Sequence, residues 1–209
     1  MQSLSHAEVE GILTPMDDRL PQGTIQVDSA RYGALLQVVE AIASHADLQG
    51  LVQDLARLLP LLVPVNFVGL SLYDAQRDMM RLHVLRANVP ADIIGGQESH
   101  PSDTPAGLVW QTQQPVILSD LAEEHRWPKL IALMREDAVQ SCCLVPLTSA
   151  VRQLGALAFS SLEKDAYRVS DLELMQQIGR QVAVAVENVL NREAAAAAVA
   201  PTPWDRRLF

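Results

Sequence analysis

The stretch SCCLVPLTSAVRQLGALAFSS, at residues 141–161, decides the fold that this sequence predicts. Two apolar runs are separated by a short polar turn, which is the pattern of a β-hairpin. Both cysteines of the chain, Cys142 and Cys143, lie side by side in the first run. Because successive strand residues point to opposite faces of a sheet, we expect the two thiols to face different layers.

A second hairpin is predicted at residues 66–87. The run NFVGLSLYD (66–74) has a period of two, and MMRLHVLRA (79–87) returns as its partner strand. One face of the first strand is uniformly apolar and carries Val68, Leu70 and Leu72. The other face is mixed and carries, in chain order, Phe67, Gly69, Ser71 and Tyr73. A mixed face with a central glycine indicates a cavity on that side rather than a plain core.

Helical patterns flank these strands. Apolar residues recur at helical spacing over residues 35–42, and Asp47 is a natural N-cap for a second helix that ends near Pro60. Near the C-terminus, Ser170 and Glu173 form a predicted capping box for a long helix. Its apolar stripe comprises Ile178, Val182, Val186 and Val189. The alanine run at 194–198 favours continued helix with little to bury.

The middle of the chain is less regular. Residues 88–105 are rich in Gly, Pro, Ser and Asp, which predicts mostly loop. A short helix follows, with Asp103 or Thr104 as its cap and Pro105 in its first turn. Residues 115–121 read as a short strand, and residues 121–138 read as a helical segment broken near Pro128.

Composition sets the broad class. The chain has 209 residues, 49% of them hydrophobic, and a formal net charge of −9. This size and apolar content predict one globular domain with tails. The negative charge disfavours nucleic acid and acidic membrane surfaces. We see no signal peptide and no apolar run long enough to span a bilayer, so we expect a soluble, cytosolic protein. We expect a flexible arm at 1–30, the domain at 31–192, and a helical extension with a loose tail at 193–209.

The order of these elements resembles that of a GAF domain. The resemblance rests on FVGLSLYD (67–74), GLVWQTQQPVILSDL (107–121), CCLVPLTSAVRQLGALAFSS (142–161) and VSDLELMQQIGRQVAVAVENVL (169–190). The chain looks most like the sensory GAF domains in front of enhancer-binding transcriptional activators of the formate hydrogenlyase type. Those activators continue into an ATPase with a GxxxxGKS/T loop and a helix-turn-helix, and neither occurs in this sequence. We therefore expect a fragment or a stand-alone sensor.

The resemblance implies an α+β fold, an α/β/α sandwich. Its central antiparallel sheet has about six strands, with long N- and C-terminal helices on one face. Short helices and loops close a small-molecule pocket on the other face. The positions that match contacts in nucleotide-binding GAF domains are Gly69, Ser71, Leu85, Arg86, Pro105, Ala106, Arg135 and Val139.

Three further residues join this candidate ligand site: Phe67 on the mixed strand face, Cys143, and Trp110, which either roofs the cavity or packs in a core. Arg86 and Arg135 would suit an anionic ligand through paired hydrogen bonds, or they are ordinary surface arginines. The cyclic-nucleotide signature of the family is absent, so cyclic GMP is not implied.

Catalysis and metal binding are not predicted. No His lies beside Cys142 or Cys143 to lower a thiol pKa, and buried free cysteines usually act as small hydrophobic residues. GAF domains that reduce free methionine sulfoxide use several separated cysteines, and bilin-binding ones attach at a Cys followed by His. Neither pattern occurs here. The groups around His100 and His125 lack metal-ligand spacing. We predict no cofactor.

The predicted function is therefore a non-catalytic sensory GAF domain in signal transduction or transcription regulation. It would bind a small molecule, with an anion as one candidate, and act through its terminal helices, which would pair in a homodimer. Two alternatives remain open at this point. One is a thiol redox sensor or enzyme using Cys142 or Cys143. The other is a ligandless dimerisation module.

Overall fold

The fold is built on a six-stranded antiparallel sheet in the order β3-β2-β1-β6-β5-β4. The computed structural model describes residues 47–86 and 94–199. In chain order the elements are α1 (Leu48–Leu58), β1 (Phe67–Asp74), β2 (Met79–Arg86), β3 (Ile94–Ser99), α2 (Pro105–Thr112), β4 (Val116–Leu118), α3 (Pro128–Glu136), β5 (Ser141–Thr148), β6 (Gln153–Ser161) and α4 (Leu172–Val199). The predicted α+β architecture is confirmed. The predicted arm at 1–30 and the helix at 35–42 lie outside the described residues.

The two predicted hairpins form the centre of this sheet. β1 pairs with β2 and β5 pairs with β6, and β1 and β6 then pair with each other. Each of β1, β5 and β6 thus has a neighbour on both edges. Their side-chain alternation is fixed by two ladders of backbone hydrogen bonds, which sets the two faces of the sheet.

The main core lies between one face of the sheet and helices α1 and α4. Val68, Leu70 and Leu72 of β1 belong to it, as the sequence predicted. The predicted stripe of α4 meets them, and Ile178, Val182 and Val186 are fully buried. Asp47 caps α1, since its Oδ1 accepts a hydrogen bond from the Gly50 amide at 2.8 Å. The long helix is therefore held by its own domain over its first half.

Three local expectations were wrong. Residues 94–99, predicted as loop, form edge strand β3, which pairs with β2 across a register shift. An edge strand is hydrogen-bonded on one side only, so it can form without an alternating pattern of apolar residues. Gly96, with φ of 95°, takes the positive φ of a β-bulge in this strand. Residues 121–127 are not helical, and α3 begins at Pro128, where a proline fits the first turn. The Arg168 amide donates to Asp171 Oδ2 ahead of α4, in place of the expected Ser170–Glu173 box.

Helix α4 packs closely against β5 at Gly179. A Cβ atom there would lie 2.9 Å from Val145 Cγ2 and 3.1 Å from the Pro146 carbonyl oxygen. Val145 is fully buried and β-branched, so it has little freedom to move away. The glycine is therefore required by close packing of helix on sheet.

The substitution Gly179→Ala tests this contact. Helix propensity alone predicts stabilisation by about 1 kcal/mol. The contact with Val145 predicts the opposite, a fall in the free energy of unfolding of about 1–3 kcal/mol, because α4 must move off β5. Urea denaturation distinguishes the two. Gln177→Ala, at an exposed position of the same helix, is the control and should change stability by less than about 0.5 kcal/mol. A more stable Gly179→Ala variant would contradict the packing.

Candidate functional site

A cavity of about 150 Å³ lies between the second face of the sheet and helices α2 and α3. Its floor comes from the strands, and its roof comes from α2, α3 and the residues that follow α3. The lining residues are Phe67, Gly69, Leu82, Val84, Gln97, Pro105, Ala106, Leu130, Leu133, Met134, Asp137, Val139, Cys142, Leu144, Ala158 and Ser160. Most of them are apolar, which is typical of small-molecule sites.

Small residues at adjacent register positions create this hollow. Gly69 and Ala158 face each other across the β1–β6 pair, between Val84 and Leu144 on the outer strands. A Cβ at Gly69 would lie 3.3 Å from Ala158 Cβ. The small side chains of this row therefore leave space above the sheet, and the short helices do not fill that space.

The next row along the sheet is more varied. It runs from Arg86 through Phe67 and Ser160 to Cys142. Phe67, Ser160 and Cys142 all line the cavity. The side chain of Arg86, like that of Leu85, lies outside the described part of the chain. For these two predicted site residues, the structure therefore gives only the register position on β2.

The mouth of the cavity is marked by its exposed lining residues, which are Gln97, Leu133 and Asp137. Two of these, Gln97 and Asp137, are polar. Asp137 is the C-cap of α3 and the charged side chain among the described lining residues. The interior is thus mostly apolar, with Ser160 as a buried polar residue, and the charge at the mouth is negative.

Helix α3 is anchored over the cavity by one buried residue and by the loop before it. Ile131 is buried, and Trp127, just ahead of the helix, is also buried. Arg126 Nη2 donates to Glu124 Oε2 at 2.7 Å, and the guanidinium carbon lies 4.4 Å from the centre of the Trp127 ring. Hydrogen bonds from the Arg126 side chain lower the pKa of Glu124 to about 2. This pair therefore stays charged at neutral pH.

The structure brings five of the predicted site residues to the cavity: Phe67, Gly69, Pro105, Ala106 and Val139. Cys142 takes the place predicted for Cys143, which lies in the opposite core against the long helices. Because the strand alternates, only one of the two thiols can face the cavity, and the sequence did not show which.

Three other predicted residues lie elsewhere. Ser71 is buried on the cavity face but one row further along β1, beside Leu82 and Ala156. Arg135 is exposed on α3 and does not line the cavity. Trp110 does not roof it: its ring stacks on Tyr73 with centroids 3.8 Å apart, and its Nε1 donates to the Gln153 carbonyl oxygen.

The lining residues that sequence analysis missed carry recognisable patterns. Leu82 and Val84 alternate along β2, and Ala158 and Ser160 alternate along β6. Leu130, Leu133, Met134 and Asp137 follow helical spacing on one side of α3. The sequence shows the alternation along the strands and the helical spacing in α3. It does not show which side of α3 faces the cavity, because that depends on how α3 docks.

A second, wider hollow of about 940 Å³ lies beside the first turn of α1 and the exposed end of α4. Its lining includes charged and polar side chains such as Arg81, His83 and Glu193. Burial, and then the charge of Arg81, lower the pKa of His83. This hollow lies beside Leu48, next to the point where the first described range begins.

Both thiols are held in the protonated form. Burial raises the pKa of Cys143 to about 12, and burial likewise raises the pKa of Cys142, with a further contribution from the neighbouring Cys143. The thiolate is the reactive form of cysteine, so neither residue is activated at neutral pH. The structure contains no disulfide between them.

Thiol labelling tests this assignment. We expect native protein at pH 8 to react with a thiol reagent at less than about a hundredth of the rate of an unfolded chain, because both sulfurs are buried protonated thiols. In guanidinium chloride both cysteines should label fully. Free cysteine at the same pH calibrates the reagent. Rapid stoichiometric labelling of the folded protein would show an activated thiol and contradict the assignment.

In the described ranges, no three or more His, Cys, Asp or Glu side chains are grouped so as to hold a metal ion. Within the same ranges, no helix combines the length and apolar character needed to cross a bilayer.

Comparison with known proteins identifies the fold family. The GAF domain family model matches residues 45–187, so the chain belongs to the GAF domain family. It is 24% identical over 164 residues to the formate hydrogenlyase transcriptional activator FhlA of Escherichia coli K12. That match covers 75% of this chain and 23% of FhlA, so the chain spans about a quarter of the relative's length.

Two solved structures show the same fold. One is the GAF domain of an Acinetobacter phosphoenolpyruvate-protein phosphotransferase, with a TM-score of 0.63 at 15% identity, covering 80% of this chain and 97% of that one. The other is free methionine-R-sulfoxide reductase from Neisseria meningitidis, solved with its substrate, with a TM-score of 0.61 at 16% identity and coverage of 78% and 92%. The chain is thus a GAF domain of the kind found in sensory and regulatory proteins, including transcriptional activators.

Proposed function

We propose that this GAF domain is a non-catalytic sensor that binds a small molecule in the cavity under α3 and acts through α4. The observation that carries the proposal is the position of β5. Cys142 of this strand lines the cavity, while the next residue, Cys143, packs in the core that contains α4. A single strand thus forms a wall of the ligand site and part of the surface on which the long helix rests.

The coupling route is short and closely packed. From Cys143 the strand continues to Val145, whose Cγ2 would lie 2.9 Å from a Cβ at Gly179 of α4. Closely packed contacts transmit small displacements instead of absorbing them. A ligand can use this route only if the domain has a second state with a different α4 position and the ligand binds the two states with different affinity. We infer that occupancy of the cavity shifts the population of α4 positions.

The C-terminal part of helix α4 is exposed within the described part of the chain. Among the residues of α4 whose burial is described, Val189 is the last buried one, and residues 191–196 are exposed. A helical end of this length is marginal in water on its own, although alanine favours it. Pairing with the same segment of a second copy would stabilise it. We therefore propose a homodimer through the terminal helices, in which the output depends on helix pairing.

The alternatives are less well supported. A redox enzyme needs an accessible thiolate, whereas burial keeps Cys142 and Cys143 protonated. A ligandless module would be expected to fill its interior, since protein cores are packed without large voids. The cavity of about 150 Å³ instead favours a domain that holds a guest.

Ligand binding can be tested by thermal shift. In a screen of small metabolites we expect at least one to raise the Tm by about 5–10 °C at 100 times its Kd. Ala158→Leu places a larger side chain in the cavity and should abolish the shift. Ala132→Leu makes the same change at an exposed position of α3 and should respond like the native protein. Unchanged binding to Ala158→Leu would place the ligand elsewhere.

Dimer formation can be tested by truncation. We expect light scattering to give the mass of a dimer for the whole chain and of a monomer for a chain that ends at Leu190, because the truncation removes the exposed part of α4 while leaving its buried part. A chain that ends at Val199 is the matched control and should remain dimeric. Equal masses for all three would contradict pairing through this segment.

A further inference from the structure

We propose that the cavity selects a compact, ring-sized apolar molecule whose polar end is neutral or cationic, and that it discriminates against carboxylates. This inference rests on the proposed sensory function, since it names the class of ligand that the same cavity would take. It departs from the anionic ligand that the two arginines suggested.

The volume sets the size of the guest. An engineered apolar cavity of about 150 Å³ in another protein holds one benzene molecule, about six non-hydrogen atoms. The cavity described here has that volume, about 150 Å³. A nucleotide or a bilin is several times larger than this space. The buried part of the ligand is therefore one ring or an aliphatic group of the same size.

The lining sets the polarity of the buried part. The floor and the roof contribute mostly apolar side chains, and Ser160 adds one buried, uncharged hydroxyl; the apolar ones include Phe67, Leu144, Met134 and Val139. At the floor the thiol of Cys142 is protonated, so it offers a weak S–H donor rather than a charge. An ionised group here would lose its hydration without gaining an ion pair among the described lining residues. The buried part of the guest is accordingly uncharged.

The mouth sets the sign of the polar end. Asp137 lines the cavity at its exposed side and, with Gln97, is the polar group that a ligand's outer end would meet. A carboxylate attracts an ammonium group or a hydroxyl donor and repels another carboxylate. Arg135, which could have reversed this sign, is exposed on α3 away from the lining. Among the described side chains, Asp137 therefore sets the sign of the polar end.

The test uses three compounds with one ring and different polar ends: benzyl alcohol, benzylamine and benzoate. Binding to the whole chain is measured by calorimetry at constant ionic strength. We expect the alcohol and the amine to bind, and benzoate to bind at least tenfold more weakly. Ala158→Leu should abolish all binding. Should that variant fail to fold, as judged by circular dichroism, Ala158→Val tests the same point with a smaller side chain.

Asp137→Asn separates the charge from the shape of the site. We expect this variant to bind benzylamine about three- to fivefold more weakly, as is typical for loss of a partly exposed ion pair. Affinity for benzyl alcohol should stay the same, and affinity for benzoate should rise. Glu136→Gln removes one negative charge from the adjacent residue, which is not among the cavity's lining, and should leave all three affinities unchanged.

Two outcomes would overturn the inference. If benzoate binds as tightly as the amine, the site accepts anions. Loss of that binding in Arg86→Ala would then assign the anion to Arg86, and the proposed sensory function would stand with a different ligand class. If none of the three ring compounds binds, the proposed class is wrong. The metabolite screen, with Ala158→Leu as its control, then decides separately whether the cavity binds any ligand.

Discussion

The alternation of side chains along β1, β6 and β5 is the constraint on which the rest of this structure depends. Each of these strands is hydrogen-bonded on both edges, so no residue can change face without breaking two ladders. A slip of one residue in β5 would exchange Cys142 and Cys143, and would bring Val145 to the cavity. The core against α1 and α4 and the cavity on the other side are therefore two consequences of one register.

The two faces use this register differently. On the helix side, large aliphatic and aromatic residues such as Phe159 and Leu157 are fully buried, and α4 comes so close that residue 179 has no room for a side chain. On the cavity side, Gly69 and Ala158 occupy neighbouring positions under short helices. Wall atoms around an empty apolar space lose dispersion contacts that a guest would restore. An empty hollow of this kind costs stability, and a guest that filled it would stabilise the fold.

The sequence predicted the parts of the fold that depend on local pattern. Strand β1 and both its faces, the cap at Asp47 and the buried stripe of α4 follow from periodicity and capping chemistry. Strand β3 was missed because an edge strand with paired glycines carries no periodic pattern. In the site, Gly69 was found because it interrupts a buried strand. Asp137 and Met134 were missed because their position depends on how α3 docks. Trp110 was misplaced because its stacking on Tyr73 is a tertiary contact.

Known relatives with this fold differ in what their side chains do. One structural neighbour is a reductase and another is a domain of a phosphotransferase, at 16% and 15% identity. This fold hosts several functions, so the function of a given member depends on the residues of its site. A reactive cysteine needs a cation or a helix N-terminus to stabilise its thiolate. Cys142 lies within a strand and faces an apolar hollow. In that position the sulfur of Cys142 is part of the cavity wall, and this agrees with the proposed sensory function.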